Sequence, residues 1–311
     1  MTEPPVLAEV VRNGVVESRH RGSLVALRPD GTVAFALGDV TAPMFPRSCN
    51  KPMQATGVLR LGVVERFGLD DRHVALATAS HSGEPEHLAV VRDVLARAGL
   101  TEDALRTPPD LPLDPEAARA APAKARVQHN CSGKHASFLA ACVARGWPLE
   151  TYLAFDHPLQ VHLRAVVAEL TREDAAPAAV DGCGAPVLAV SLTGVARAFA
   201  TIAAAGGGAE RVVADAIRRQ PFLVGGTGRD VTRLVEAVPG LVAKDGAEGV
   251  YAAALPDGTA VALKVEDGAA RPRQPVMVAA LRALGVAVAI DPPVVLGGGE
   301  PVGEVRAVLG R

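Results

Sequence analysis

The sequence predicts an α+β fold in which one antiparallel sheet is assembled from both ends of the chain. Two observations carry this. Short runs rich in Val, Leu and Ala, punctuated by turn residues, fill residues 6–38 and return at 240–268. Between about 50 and 238 the apolar positions recur instead near the helical period. Strands at the two ends and helices between them fit a single sheet built from both termini, covered by helices, with a helical lobe inserted. The whole chain, 1–311, reads as one domain.

Taken in order, residues 6–12, 14–19, 22–29 and 33–38 read as strands, with "RPDGT" (28–32) as a hairpin turn. From about residue 50, "MQATGVLRLGVVERFG" turns helical, and 84–100 is an amphipathic helix with Gly99 placed as a C′ glycine. Five prolines in 106–125 predict a loop with one short helix. Helices are expected at 132–146, at 157–170 with Pro158 as the first helical residue, at 186–205 and at 209–220. Strands follow at 240–268, with turns at "KDG" and "PDG", and a last helix at about 273–284. The two "PDGT" turns are ordinary hairpin chemistry rather than an internal repeat.

Composition narrows the function. Hydrophobic residues make up 49% and charged residues 21%, enough for a large core and too apolar for disorder. Aromatic residues are 3% and the net charge is −2, which leaves neither stacking platforms nor a basic stripe for nucleic acid. The run 185–206 has the length of a bilayer span, but Gly194 and Arg197 lie inside it, and a buried core helix is expected. The start, "MTEPPVLAEVVRNG", lacks the basic and apolar segments of an export signal. Cys49, Cys131, Cys142 and Cys183 are therefore expected as free thiols in a reducing cytoplasm.

The chemistry concentrates in a few stretches. In "PRSCNKPMQ" (46–54), Ser48 and Lys51 are three apart and share a face of a helical turn. Serine needs an adjacent base to attack, and a lysine serves when burial and neighbouring cations strip its proton. Pro52 is incompatible with a regular helix through Ser48, so a tight irregular turn should precede a helix starting near Pro52. On its own, the pair reads equally as a serine cap and a solvated lysine.

"ATASHSGEPEHL" (77–88) places Ser80 at the joint of two elements, with Ser82 as an N-cap candidate. His81 and His87 lack metal-ligand spacing. In "VQHNCSGKHASF" (127–138), Cys131 and Lys134 share a helix face, and "SGKH" lacks the glycine and hydroxyl of a phosphate loop. Cys183, in "VDGCGAPV" (180–187), and Cys131 are either partners on a soft metal or simply buried thiols. Cys142 reads as core. Lys264 stands near the end of an apolar strand in "TAVALKVEDG", and "GGTGRDVTRL" (225–234) is a glycine-rich helix entry whose N–H groups suit a carboxylate or oxyanion.

Together, "PRSCNKPMQ", "ASHSGEPEH", "HNCSGKHA", "DGCGAP" and "ALKVEDG" resemble the class 3 L-asparaginases, the rhizobial inducible type of the asparaginase II family, over about residues 6–309. The resemblance implies a serine β-lactamase/glutaminase-like fold and hydrolysis of L-asparagine. It implies two Ser–Lys tandems, Ser48 with Lys51 and Ser80 with Lys264, with Ser48 favoured as the acylated serine and Ser80 as a proton relay. It implies one supporting zinc ion on Cys131, Lys134 and Cys183, with lysine deprotonated to coordinate. Arg47 and Asp181 are expected to meet the substrate α-carboxylate and α-ammonium, with His135 nearby. A homodimer is implied as well, and Cys49 falls at a position without a role. Other readings within reach are a glutaminase, a β-lactam hydrolase, or a non-catalytic amino-acid or metal binder on the same fold.

Overall fold

Both ends of the chain pair into one antiparallel sheet in the computed structural model, which describes residues 3–310. β1 (Val6–Arg12), β2 (Val15–Leu27), β3 (Val33–Leu37) and the two-residue β4 (Pro43–Met44) come first. A short 3-10 turn, Arg47–Asn50, runs into α1 (Lys51–Leu59), followed by α2 (Val63–Phe67), α3 (Asp71–Ala77) and α4 (Pro85–Arg97). α5 (Pro115–Ala120), α6 (Ser132–Arg145) and α7 (Pro158–Thr171) complete the first helical run. β5 (Ala176–Val180) and β6 (Pro186–Ser191) lead to α8 (Leu192–Ala204), α9 (Gly208–Arg219), α10 (Pro221–Val224) and α11 (Asp230–Ala237). β7 (Val242–Asp245), β8 (Val250–Ala254), β9 (Ala260–Val265), α12 (Arg273–Ala283), β10 (Val294–Gly297) and β11 (Glu300–Ala307) follow.

The main sheet runs β10-β11-β1-β2-β9-β8-β7, with β3 also on β2, and a small second sheet runs β4-β6-β5. β2 is the hinge of the arrangement. Its first half pairs with β1, Val6 facing Arg21 and Arg12 facing Val15. From Gly22 onward it pairs with β9, Gly22 facing Val265 and Leu27 facing Ala260, and with β3. A Cβ on Gly22 would lie 2.1 Å from the Lys264 carbonyl oxygen, so only glycine lets the strands close where the partner changes.

Every residue of β7 and β8 is buried. α8 packs against β2, β8 and β9, and α12 against β1, β8, β9 and β11, so this half of the sheet is covered on both faces. Burial on both faces explains why "VYAAA" and "AVALKV" are near-continuous apolar runs rather than alternating ones. α1 is buried at all nine positions, including Lys51, Gln54 and Thr56. Gly57 lets α7 approach it, since a Cβ there would meet Leu163 at 2.7 Å.

Three expectations are corrected. Residues 14–19 and 22–29 are one strand, because pairing runs unbroken through His20 and Arg21 against β1 into Gly22 against β9. The 186–205 run is not a single helix: Pro186–Ser191 is a strand, and Ser191 Oγ caps α8 by accepting the Gly194 N–H at 2.9 Å. No helix among the described residues is long and apolar enough to cross a membrane. Ser82 does not cap α4; its hydroxyl donates to Gly225 O at 2.9 Å, and Glu84 holds the N-cap position. The C-terminal hairpin β10–β11 was not legible, because "GGG" reads as loop while the pairing comes from the distant β1.

Gly22→Ala should destabilise the fold by about 3 kcal/mol through overpacking at the strand switch. Thermal unfolding checks this, and a melting temperature equal to that of the parent protein would refute the account of β2.

Candidate active site

Lys51 begins α1 and is 1% exposed. A buried amine needs hydrogen-bond partners, and it finds them on the loop after α3: Nζ donates to Ala79 O at 2.6 Å and meets Ser80 Oγ at 3.0 Å. Ser48 lies one turn before Lys51, in the 3-10 turn that precedes Pro52 as the sequence suggested. Among the described residues its hydroxyl has no side-chain hydrogen bond, and the residue is half-buried. Arg47, immediately before it, has φ +48°, a left-handed conformation costly for a side chain of that size.

The Ser80 loop is tied on every side. Ser80 N–H donates to Val224 O at 3.1 Å, and His81 N–H to Asn130 O at 3.2 Å. His81 is fully buried; Nδ1 accepts the Gly83 N–H at 3.2 Å, so Nε2 donates to Ser132 Oγ at 2.9 Å. His81 stacks on His87, which stacks on Phe222. Burial keeps both imidazoles below the ordinary histidine range.

A buried charge cluster lies behind Ser80. Lys244 Nζ donates to Asp245 O at 2.7 Å and Oδ1 at 2.5 Å. Asp245 Oδ2 accepts from Arg229 Nη2 at 2.9 Å, with Arg273 Nη2 at 3.7 Å. Arg273 also bonds Asp230 at 3.0 Å and Gly246 O at 2.6 Å. Burial alone would raise the Asp245 carboxyl, but Lys244, then Arg229 and Arg273, hold it well below the usual range. Lys244 is pushed below the ordinary lysine range by burial, with Asp245 opposing and Lys51 adding to the push. Cys49 Sγ donates to Lys244 O at 3.0 Å, and burial raises its thiol to about 12, so it is an inert strut.

Cys131, just before α6, and Cys183, in the turn after β5, meet beside Lys134. Lys134 Nζ is 3.2 Å from Cys183 Sγ. Cys131 Sγ donates to Asn130 Oδ1 at 3.2 Å, and the neighbouring Cys131 thiol, with the charge of Lys134, holds Cys183 far below the ordinary thiol range. The proximity of Cys183, with burial, raises Cys131. Burial works against the Lys134 ammonium, yet Cys183 and then Cys131 keep it above its usual range. The described residues bring no three His, Cys, Asp or Glu side chains together as a metal group. The donors gathered here are the sulfurs of Cys131 and Cys183 and the amine of Lys134, a soft set that fits zinc once Lys134 gives up its proton.

Beside this cluster, Tyr152 OH accepts the Arg106 N–H at 3.1 Å and donates to His135 Nδ1 at 2.6 Å. That leaves the proton on Nε2, a buried donor without a well-formed partner, on the side of Cys183. Burial lowers His135 to about 4, against the pull of Cys183, so the ring is neutral near pH 7. Arg47 Nε donates to Asp181 Oδ1 at 2.8 Å, and the Gly182 N–H donates to the same oxygen at 2.9 Å.

The structure thus brings Lys51 to Ser80, Arg47 to Asp181, and Lys134 to Cys183. It does not join Ser80 to Lys264 in a hydrogen bond. Lys264 Nζ instead donates to Glu248 O at 2.6 Å and Val265 O at 2.7 Å, at the end of β9 where the β7–β8 turn comes down. Sequence reasoning missed Lys244, Asp245, Arg229, Arg273 and Tyr152. "KDG" read only as a turn, although a lysine closing the apolar run "GLVAKDG" was a signal of burial.

The family described as L-asparaginase II matches residues 8–307. Among solved structures, a β-lactamase from Mycobacterium bovis shares the fold, with a TM-score of 0.50 at 13% identity over 85% of this chain and 93% of that one. The structure of Mglu aligns with a TM-score of 0.39 at 15% identity, over 85% of this chain and 66% of that one. No curated protein sequence matches.

Asp245→Asn should cost about 3 kcal/mol at neutral pH, because it leaves Lys244 buried without its carboxylate. The folded Asp245 pKa is depressed, so its contribution is fully present above about pH 4 and is lost as pH falls through the folded value. Urea unfolding across that range should show the gap between parent and variant closing in acid; a gap that stays constant would contradict the assignment.

Proposed function

The chain belongs to the L-asparaginase II family, and from that membership we propose that it hydrolyses the side-chain amide of L-asparagine to L-aspartate and ammonia through a lysine-activated serine. The observation that supports the serine chemistry is the buried Lys51 amine at 3.0 Å from Ser80 Oγ, one turn from the free hydroxyl of Ser48.

In this reading Ser48 Oγ attacks the amide carbon and Lys51 accepts the hydroxyl proton. Lys51 returns that proton through Ser80 to the departing nitrogen, which leaves as ammonia. Water then attacks the acyl ester, losing its proton to Lys51 as the Ser48 oxygen regains one. Asp181 has its Oδ1 occupied by Arg47 and Gly182, and its other oxygen is the acceptor for the substrate α-ammonium. His135, held by Tyr152, offers its Nε2–H to a substrate oxygen. Lys264 serves by position: it holds the Glu248 carbonyl, and Glu248 lies 3.8 Å from Arg47 at the mouth. Cys131, Lys134 and Cys183 would hold the zinc ion, and a bound ion would fix the Asp181–Cys183 turn against α6 and add positive charge near the substrate.

Ser48→Ala should lower ammonia release from L-asparagine about 10³-fold and abolish any covalent adduct seen by intact mass. Ser80→Ala should slow turnover about 10²-fold while the adduct still forms. Full turnover by Ser48→Ala, or an adduct on Ser80, would end this assignment. A chelator should lower the melting temperature of zinc-loaded protein and leave a Cys131→Ser variant unmoved.

A further inference from the structure

The two arginines near the serines are balanced differently. Arg47 holds Asp181 at 2.8 Å and has Glu248 at 3.8 Å, so two carboxylates neutralise one guanidinium. Arg229 is the opposite case. It shares Asp245 with Lys244 and Arg273, and Arg273 also takes Asp230. Three cations therefore face two carboxylates in a cluster that water barely reaches. Lys244 is fully buried and Arg273 is 8% exposed, whereas the Arg229 side chain keeps 26% of its surface. The uncompensated charge emerges at Arg229. Its Nη1 reaches toward Ser80 O at 3.4 Å, a long contact that leaves a donor free beside the Lys51–Ser80 pair.

A surplus guanidinium that water reaches only in part is stabilised by an anion brought with the ligand. We propose that Arg229 anchors a carboxylate of the substrate, so that the site takes amides that carry a free carboxylate and discriminates against neutral amides of the same shape. The inference rests on the reading of Ser48, Lys51 and Ser80 as the amide-cleaving group, and it assigns the carboxylate to Arg229 where the family resemblance pointed to Arg47.

The test is calorimetric binding of L-aspartate to the full chain, comparing the parent protein with Arg229→Gln, Arg229→Lys and Arg47→Gln, alongside ammonia release from L-asparagine and from its neutral α-amide. Asp245 keeps Lys244 and Arg273 in Arg229→Gln, so the fold should survive, and melting curves check it. If that variant melts early, Arg229→Lys carries the comparison. Arg229→Gln should weaken L-aspartate binding about tenfold or more, the scale of one charge-assisted hydrogen bond, and Arg229→Lys should recover part of it. KM for L-asparagine should rise while the neutral α-amide is handled as before. Unchanged aspartate affinity in Arg229→Gln, a loss confined to Arg47→Gln, or no aspartate binding by the parent protein would each overturn the proposal. Arg229-dependent aspartate binding without ammonia release would instead overturn the amidohydrolase reading and leave this one standing.

Discussion

One amine taken out of water organises the half of the molecule around α1. Lys51 begins a helix with no exposed face, and its Nζ is too costly to bury without acceptors. The loop 78–83 supplies them, and a loop drawn into the interior must have its own backbone satisfied. That need fixes what surrounds it: Val224 O takes the Ser80 N–H, Asn130 O takes the His81 N–H, and Asp114 N–H donates to Ser82 O. α10, the approach to α6, and the proline-rich segment before α5 are thereby pinned to one point. The Ser80 hydroxyl is fixed by the same bonds that make the amine's burial tolerable.

The sheet contributes through its edge. β7 is the last strand of the main sheet, and an edge strand with every residue buried must be covered. The 3-10 turn bearing Ser48, and α11, pack there. Cys49 bonds the Lys244 carbonyl from one side, and Lys244, Asp245, Arg229 and Arg273 neutralise one another from the other. Ser48 is held against a charged seam, and its backbone strain at Arg47 is tolerated because both sides of the turn are already committed.

The sequence was informative where chemistry is local. Ser48, Lys51 and Pro52 forced an irregular turn before a helix by sterics alone, and that turn is present. Pro158 and Gly99 marked helix ends through rules that need only one residue. What failed depended on distant partners. β2 was read as two strands, 14–19 and 22–29, because its continuity rests on pairing with β1 and then with β9, whose Lys264 carbonyl lies more than two hundred residues from Gly22. Pro186–Ser191 became a strand only because β4 and β5 flank it. Lys264 was assigned to Ser80 through resemblance, and in the structure its amine is spent on two backbone carbonyls. Lys51 faces Ser80 although i and i+3 spacing speaks only of Ser48.

The thiol cluster and the serine pair are chemically separate, yet one side chain joins them. His81 follows Ser80 directly, and its Nε2–H holds Ser132, the residue after Cys131. Ser132 Oγ donates its own hydrogen bond to Val127 O at 2.7 Å, so the link is directional. The start of α6, just after Cys131, is thereby tied to the backbone that carries Ser80. A dependence of turnover on the state of Cys131 and Cys183 is therefore expected through the position of the Ser80 hydroxyl.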